Sequence, residues 1–372
     1  MSRRVVRVMM TADAIGGVWN YALDLARGFA RHDIETVLAI LGPSPDCAQR
    51  AQAEAIGGLR LIDAGLPLEW TARDAAALRA TGVFLDGLAE ELRPEIIHLN
   101  TPALAADMHH AAPVIAMAHS CLGTWWRAVR REPLPADFAW RVAATRRGLA
   151  AADSVIAASH SFAEALSHAY GNGLPVEVVL NGRAATALEI DKRPLIFTAG
   201  RLWDEGKNIA VLDRAAVKME PPVVAAGPLT GPNGARGEFA HLKLVGTLNE
   251  SEIVPWYAAA SIFASPARYE PFGLAVLQAA QAGTALVLSD IPTFRELWDG
   301  VALFCPVDDD IAWRHALEDL LGAPQRARAL GRAAQQRAAR YSLEAMVCGT
   351  LDVYSRALAR KTSVAPSLHA VP

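Results

Sequence analysis

Cysteine is sparse in this chain. Four thiols, Cys47, Cys121, Cys305 and Cys348, are spread over 372 residues, and no two form a Cys-x-x-Cys pair. That spacing supports neither a disulfide framework nor a zinc site, and it suits reduced thiols in a cytoplasm. Lysine is also rare, with five residues against thirty-one arginines. A basic surplus is missing altogether: the formal charge is -3, which argues against a nucleic-acid partner. Residues 271–289 carry no charge, yet Gln278, Gln281 and Gly283 break this stretch into a helix-like and a strand-like part. A membrane span needs about twenty predominantly apolar residues without such breaks. The opening "MSRRVVRVMMTADAIGG" has only a short apolar run before Asp13, so no signal peptide is expected. Short-period repeats and low-complexity segments are absent.

What is present is alternation. Short β-branched runs fall at 5–9, 35–40, 59–62, 96–99, 114–117, 154–157 and 176–180. A second series falls at 195–198, 223–225, 242–245, 262–264, 285–288 and 302–304. Helical patterns lie between them, as in "VWNYALDLARGFARH", where Val18, Ala22, Leu25 and Phe29 share one face. Alternating strands and helices predict parallel sheets covered on both faces, an α/β class. The length favours two domains. We expect a first domain over 1–180, a polar linker over 181–193, a second domain over 194–340, a terminal helix over 341–361 and an unstructured tail over 362–372.

Parallel sheets bind ligands at the carboxyl ends of their strands. In "FTAGRLWDEGKN", Arg201 and Lys207 follow a strand on a glycine-containing turn, where two cations can neutralise a diphosphate. They can equally be a surface pair bridging to Asp204 and Glu205. In "ARYEPFGLAVLQAAQAG", a helix starting near Gly273 would aim free amides at an anion. Glu270, one turn away, would be repelled by phosphate and would accept hydrogen bonds from neutral hydroxyls such as those of a sugar. The simpler alternative is that it caps the helix. Gly16 and Gly17 permit a second close backbone approach to phosphate or form a plain tight turn. His119 ends a strand and can face the same cleft or serve the core.

The order of these motifs resembles the retaining nucleotide-sugar glycosyltransferases of family 4, which have the GT-B architecture of two Rossmann-like domains facing across a cleft. The likeness takes in the Gly16-Gly17 loop, "IIHLN", "MAHS", "LNG", "TAGRLWDEGKN", "LVGTLNESEIVPWYAAASIFASPARYEPFGLAVLQAAQAG" and "LSDIPTFRELWDG". The terminal helix resembles the one that crosses back onto the first domain in that fold. The resemblance implies that Arg201 and Lys207 bind the donor diphosphate and that Glu270 holds a donor-sugar hydroxyl. It puts the backbone amides of Phe272, Gly273, Leu274 and Ala275 against sugar and phosphate, and the main chain of Leu248 against the base. It sets His119 beside the donor sugar and Gly17 near the phosphates. One departure stands out. The family's second glutamate, separated from the first by seven residues, is Gln278 here, an amide that accepts from a ribose hydroxyl without a charge.

The implied reaction moves a sugar from a nucleoside diphosphate sugar, a UDP-sugar first of all, to a hydroxyl of a saccharide or lipid-linked acceptor. No metal and no other cofactor are expected, because cations and helix amides stabilise the leaving diphosphate. An epimerase of the same architecture, or a non-catalytic transferase-like subunit, is the alternative. The segment 125–147 sets Trp125, Trp126 and Trp140 among Arg127, Arg130, Arg131, Arg141, Arg146 and Arg147. It reads as a peripheral contact with an anionic membrane face, a grip on a lipid-phosphate acceptor, or a packed helix with a solvated face. The expected location is cytoplasmic, with this contact at the inner membrane face.

Overall fold

The computed structural model describes residues 5–185, 188–232 and 234–364, with the side chains of 362–364 excepted. The first domain runs β1 (Arg7–Ala12), α1 (Gly17–Ala30), β2 (Glu35–Ile40), α2 (Cys47–Glu54), β3 (Leu59–Asp63), α3 (Ala75–Leu92), β4 (Ile96–Leu99), β5 (Val114–Ala118), α4 (Leu122–Val129), α5 (Ala139–Ala151), β6 (Ser154–Ala157), α6 (His160–Tyr170) and β7 (Val176–Val178). The second runs β8 (Arg193–Ala199), α7 (Ile209–Ala215), β9 (Val223–Ala226), β10 (Lys243–Leu244), α8 (Glu250–Ala259), β11 (Ala260–Ser265), α9 (Leu274–Gln281), β12 (Ala285–Ser289), α10 (Pro292–Trp298), β13 (Ala302–Cys305), α11 (Asp310–Gly322) and α12 (Pro324–Ala338). A last helix, α13, spans Leu343–Val364.

Every expected strand is found; β2, β4 and β6 have the expected ends and the others are shifted. β1 starts and stops later than 5–9 because Thr11 and Ala12 still pair with Ala39 and Ile40. β10 shrinks to two residues at the sheet edge. Arg193, assigned to the linker, already pairs with Ala260 as the first residue of β8. Residues 362–364, assigned to the tail, continue α13, whereas 186–187 of the linker and 365–372 of the tail lie outside the described residues.

Both sheets are parallel. Their orders are β3-β2-β1-β4-β5-β6-β7 and β10-β9-β8-β11-β12-β13. Strand order reverses beside β1 in one and beside β8 in the other, and a crevice opens where neighbouring connections leave toward opposite faces. The loops after β1, β4, β8 and β11 border these crevices, and they carry Gly16, Arg201, Lys207, Glu270, Phe272 and Gly273.

The domains share a core. One buried apolar cluster joins Leu25 and Phe29 of α1 to Phe272, Leu277 of α9 and Tyr354 of α13. The return of α13 onto the first domain depends on Gly28: a Cβ there would lie 2.1 Å from Val347. Tyr354 also hydrogen-bonds His98 Nδ1, fully buried in β4, at 2.7 Å. At the crossover, Arg183 is buried between Asp24 of α1 (2.8 Å) and Glu250 of α8 (2.5 Å), so the first linker residues are anchored.

Candidate active site

The turn after β8 is built by one carboxylate. Asp204 Oδ2 accepts from Arg201 Nη2 at 2.7 Å, and its Oδ1 accepts from Gly206 N at 2.8 Å and from Trp125 Nε1 at 3.0 Å. Burial by itself would raise the Asp204 carboxyl, but Arg201 and Lys207 hold it below its ordinary value. Arg201 thus makes one of the two surface bridges weighed above. Lys207 does not turn to Glu205. Its Nζ lies 2.5 Å from Glu270 Oε2, and both side chains are mostly buried.

The Glu270 loop is fastened to both domains. Gly206 O accepts from Arg268 N at 2.9 Å and from Tyr269 N at 3.2 Å. Ser159, which caps α6, donates its hydroxyl to Pro271 O at 2.7 Å from the first domain. Gly273 then turns into α9 with φ 95°, a conformation open to glycine at little cost. No side chain caps α9, so Glu270 is not its cap: it pairs with Lys207 instead. The free amides of the first turn, at Leu274 and Ala275, leave a positive helix end for an anion.

A second open helix end faces it. Gly16 caps α1 without a side-chain bond, and a Cβ on Gly17 would lie 3.7 Å from Leu274 Cδ1. Phe272 is buried, whereas Leu274, Ala275 and Gln278 share the half-buried stripe of α9. Leu248 is half-buried beyond Gly246, whose carbonyl accepts from Gly227 N at 2.8 Å.

His119 follows β5 and is half-buried. Asn100 Nδ2 donates to Thr11 O at 2.7 Å, which orients the amide so that Asn100 Oδ1 accepts from His119 Nε2, also at 2.7 Å. The proton is therefore on Nε2, and Nδ1 keeps an accepting lone pair. Burial, with His98 nearby, pushes this imidazole down to about 3, so it is neutral.

Several residues here escaped the sequence reading. Glu296 of α10 binds the open end of α6 across the domain boundary: its carboxylate accepts from His160 N (2.9 Å), Ser161 N (2.7 Å) and Ser161 Oγ (2.6 Å). On the β1–α1 loop, Asp13 Oδ1 accepts from Ile15 N at 3.0 Å, and burial pushes its carboxyl up to about 6 against the opposing pull of that bond and of the Arg201 charge. Its position within "ADAIGG", a stretch already marked by glycines, was an available signal. The aromatics of helix α4 are half-buried and engaged: Trp125 holds Asp204, Trp126 donates to Glu132 O at 2.8 Å, and Thr124 meets Tyr269 at 2.8 Å. Arg130 pairs with Glu205 at 2.6 Å, while Arg127, Arg146 and Arg147 remain exposed. Among the described residues no cluster of His, Cys, Asp and Glu could hold a metal ion, and no helix is long and apolar enough to cross a membrane.

Comparison with known proteins bears on the family and the fold. Residues 15–185 match the family model "Glycosyltransferase Family 4", and residues 193–323 match "Glycosyl transferases group 1". A glycogen synthase of Mycobacterium tuberculosis is 24% identical over 405 residues, covering 96% of each chain. A D-inositol 3-phosphate glycosyltransferase of Xylanimonas cellulosilytica is 25% identical over 396 residues, covering 94% of each. Among solved structures, sucrose-phosphate synthase from Thermosynechococcus elongatus superposes with a TM-score of 0.76 at 17% identity, over 95% of this chain and 99% of that one. HepE of Anabaena, in complex with UDP and glucose, gives 0.71 at 14% identity, over 95% and 100%.

Proposed function

This chain belongs to the family 4 glycosyltransferases of GT-B architecture, and from that we propose a retaining, metal-independent transfer of a hexose from a UDP-sugar to a hydroxyl of a saccharide or lipid-linked acceptor. The observation that carries the reading is the Lys207–Glu270 pair beside the uncapped amino end of α9, with the amino end of α1 against Leu274 of the same helix. A diphosphate entering there meets Arg201, Lys207 and the free amides, so the charge building on the leaving group is met without a cation from solution. Glu270 then turns to a hydroxyl of the donor sugar. Neutral His119 offers Nδ1 to another. Gln278, one stripe along α9, reaches the ribose, and the main chain of Leu248 meets the base.

Retention is the stereochemistry this arrangement favours. The donor is gripped through its leaving group, whose oxygen can take the proton of an acceptor hydroxyl attacking from the same face. The HepE complex, with UDP and glucose, supports a uridine donor by likeness of fold. An epimerase would bind the same donor but would not release nucleotide in step with product. The testing experiment is a panel of nucleotide-sugars scored for thermal protection and for nucleotide release, with and without a chelator. The reading expects a UDP-sugar to lead in both, unaffected by chelation. Turnover abolished by a chelator and restored by magnesium or manganese would contradict it.

A further inference from the structure

Glu270 belongs to the second domain, yet its two chain neighbours are held by the first. Tyr269, just before it, packs against the apolar core of the first domain and edge-on to Phe162 of α6. The Tyr269 hydroxyl also lies 2.8 Å from Thr124 Oγ1 of α4. Pro271, just after it, accepts the Ser159 proton at its carbonyl, at 2.7 Å. A serine hydroxyl has one proton, and this one crosses the domain boundary. Its lone pairs cap α6 by accepting from Phe162 N at 3.1 Å. Ser159 is fully buried, so bulk water does not compete for either bond.

The end of α6 that carries Ser159 is set in turn by the second domain. The Glu296 carboxylate takes His160 N, Ser161 N and Ser161 Oγ, and Ala163 N returns to Ser159 O at 3.0 Å. With Phe162 N on Ser159 Oγ, each amide of the first turn of α6 has a partner. This helix end therefore differs from those of α1 and α9: it leaves no amide for a ligand, and its amides join the domains instead. A carboxylate accepting through both oxygens fixes direction as well as distance.

Bonds between domains often serve simply to join them, but here the landing places say more. Within its own domain the loop is fastened as far as the acid, through Gly206 O to the amides of Arg268 and Tyr269 and through Lys207 to Glu270 itself. Beyond the acid, Pro271 has no N–H to offer, and its carbonyl is held from the first domain.

We propose that Ser159 and Glu296 are positioning residues for Glu270. Glu296 sets the end of α6, Ser159 carries that setting to Pro271, and the acid is in place only while the two domains are docked. This rests on the transferase reading above, in which Glu270 holds a hydroxyl of the donor sugar, and extends it to the domain boundary.

The test uses the full chain with the UDP-sugar that best supports UDP release, beside UDP affinity by calorimetry. Ser159→Gly keeps most of the cap, since glycine is a fair N-cap, but loses the proton given to Pro271. It should lower kcat about ten-fold with UDP affinity within about two-fold of wild type. Glu296→Gln puts an amide NH2 where an acceptor is needed and should act in the same direction. On a Glu270→Gln background neither change should lower kcat further, because residues that act through one another are not additive. Gln52→Ala is the control. It breaks another bond between the domains, Gln52 Nε2 to Glu250 Oε2 at 3.0 Å, without touching the Glu270 loop, and should leave kcat unchanged. An unchanged kcat in Ser159→Gly and Glu296→Gln overturns the inference. So do losses that multiply with that of Glu270→Gln, or an equal loss in Gln52→Ala. In each of these cases UDP release by the wild type leaves the transferase reading standing. A Ser159→Gly chain that does not fold passes the decision to Glu296→Gln, alone and combined with Glu270→Gln. A wild type that releases no UDP from any UDP-sugar removes both the transferase reading and the inference.

Discussion

Lys207 Nζ and Glu270 Oε2 lie 2.5 Å apart although the residues are 63 positions apart in the chain. The pair joins the turn after β8 to the loop before α9, and it makes the two residues unequal as mutational targets. Lys207→Ala removes a phosphate ligand and strands a mostly buried carboxylate. We expect roughly ten- to a hundred-fold weaker UDP binding and a stability loss of about 1–3 kcal/mol. Glu270→Gln keeps the shape and frees Lys207, so UDP should bind at least as well while kcat falls about ten- to a hundred-fold. Calorimetry with UDP, beside steady-state rates, separates the two. A Glu270→Gln variant that loses UDP affinity and keeps turnover would move the acid out of the sugar site.

Gln278 lies on the half-buried stripe of α9 with Leu274 and Ala275. Gln278→Glu should tighten UDP binding by about 1 kcal/mol, because a charged acceptor bonds a ribose diol more strongly than an amide does. Titration of UDP, and of a deoxyribose analogue as control, checks this. An equal gain for both nucleotides would place Gln278 away from the ribose.

The raised Glu69 carboxyl, about 7 in the fold against an ordinary 4.5, fixes the sign of one pH effect. Between these values the folded chain keeps a proton that the unfolded chain has released, so the contribution of Glu69 to stability is lost as pH rises from about 4.5 to 7. Glu69→Gln removes that loss. Its Tm relative to wild type should therefore climb between pH 4.5 and pH 8. The buried imidazoles run the other way: His98 and His119, at about 4 and about 3, cost stability as pH falls below 6.5. A Tm difference that stays flat across the range would show that Glu69 titrates normally.

Membrane docking through 125–147 has the exposed Arg127, Arg131, Arg146 and Arg147 as its remaining support, since Trp125 is bound to Asp204 and Trp126 to Glu132 O. Sedimentation with vesicles of neutral lipid, and of neutral lipid mixed with anionic lipid, measures it. With the tryptophans engaged, any binding should require the anionic lipid and should vanish at raised salt. Binding that persists on neutral vesicles or in high salt would mean that the aromatics, not the arginines, make the contact.

Much of the fold could be read from sequence because each buried strand is a short β-branched run between helical patterns. Ile96–Leu99 and Ser154–Ala157 end where the pattern ends. β1 misled because Ala12 has little strand preference and stands before Asp13, so the apparent run ends ahead of the β-branched Thr11, which pairing with β2 keeps in the strand. The donor side was legible because glycines and scarce lysine mark it locally. Glu69 was not: "LPLEWTARD" reads as an ordinary loop, and its burial comes from neighbours far away in the chain. Glu296 likewise reads as a solvent-facing helix acid, and only the docking of α10 on α6 gives it three donors.

The most direct test of the central claim is to follow the anomeric proton of the transferred sugar by NMR with an α-linked UDP-sugar as donor and a saccharide as acceptor. The account predicts stoichiometric UDP release and an α-linked product, whose anomeric coupling matches the donor. A β-linked product, or sugar rearrangement without UDP release, would contradict it.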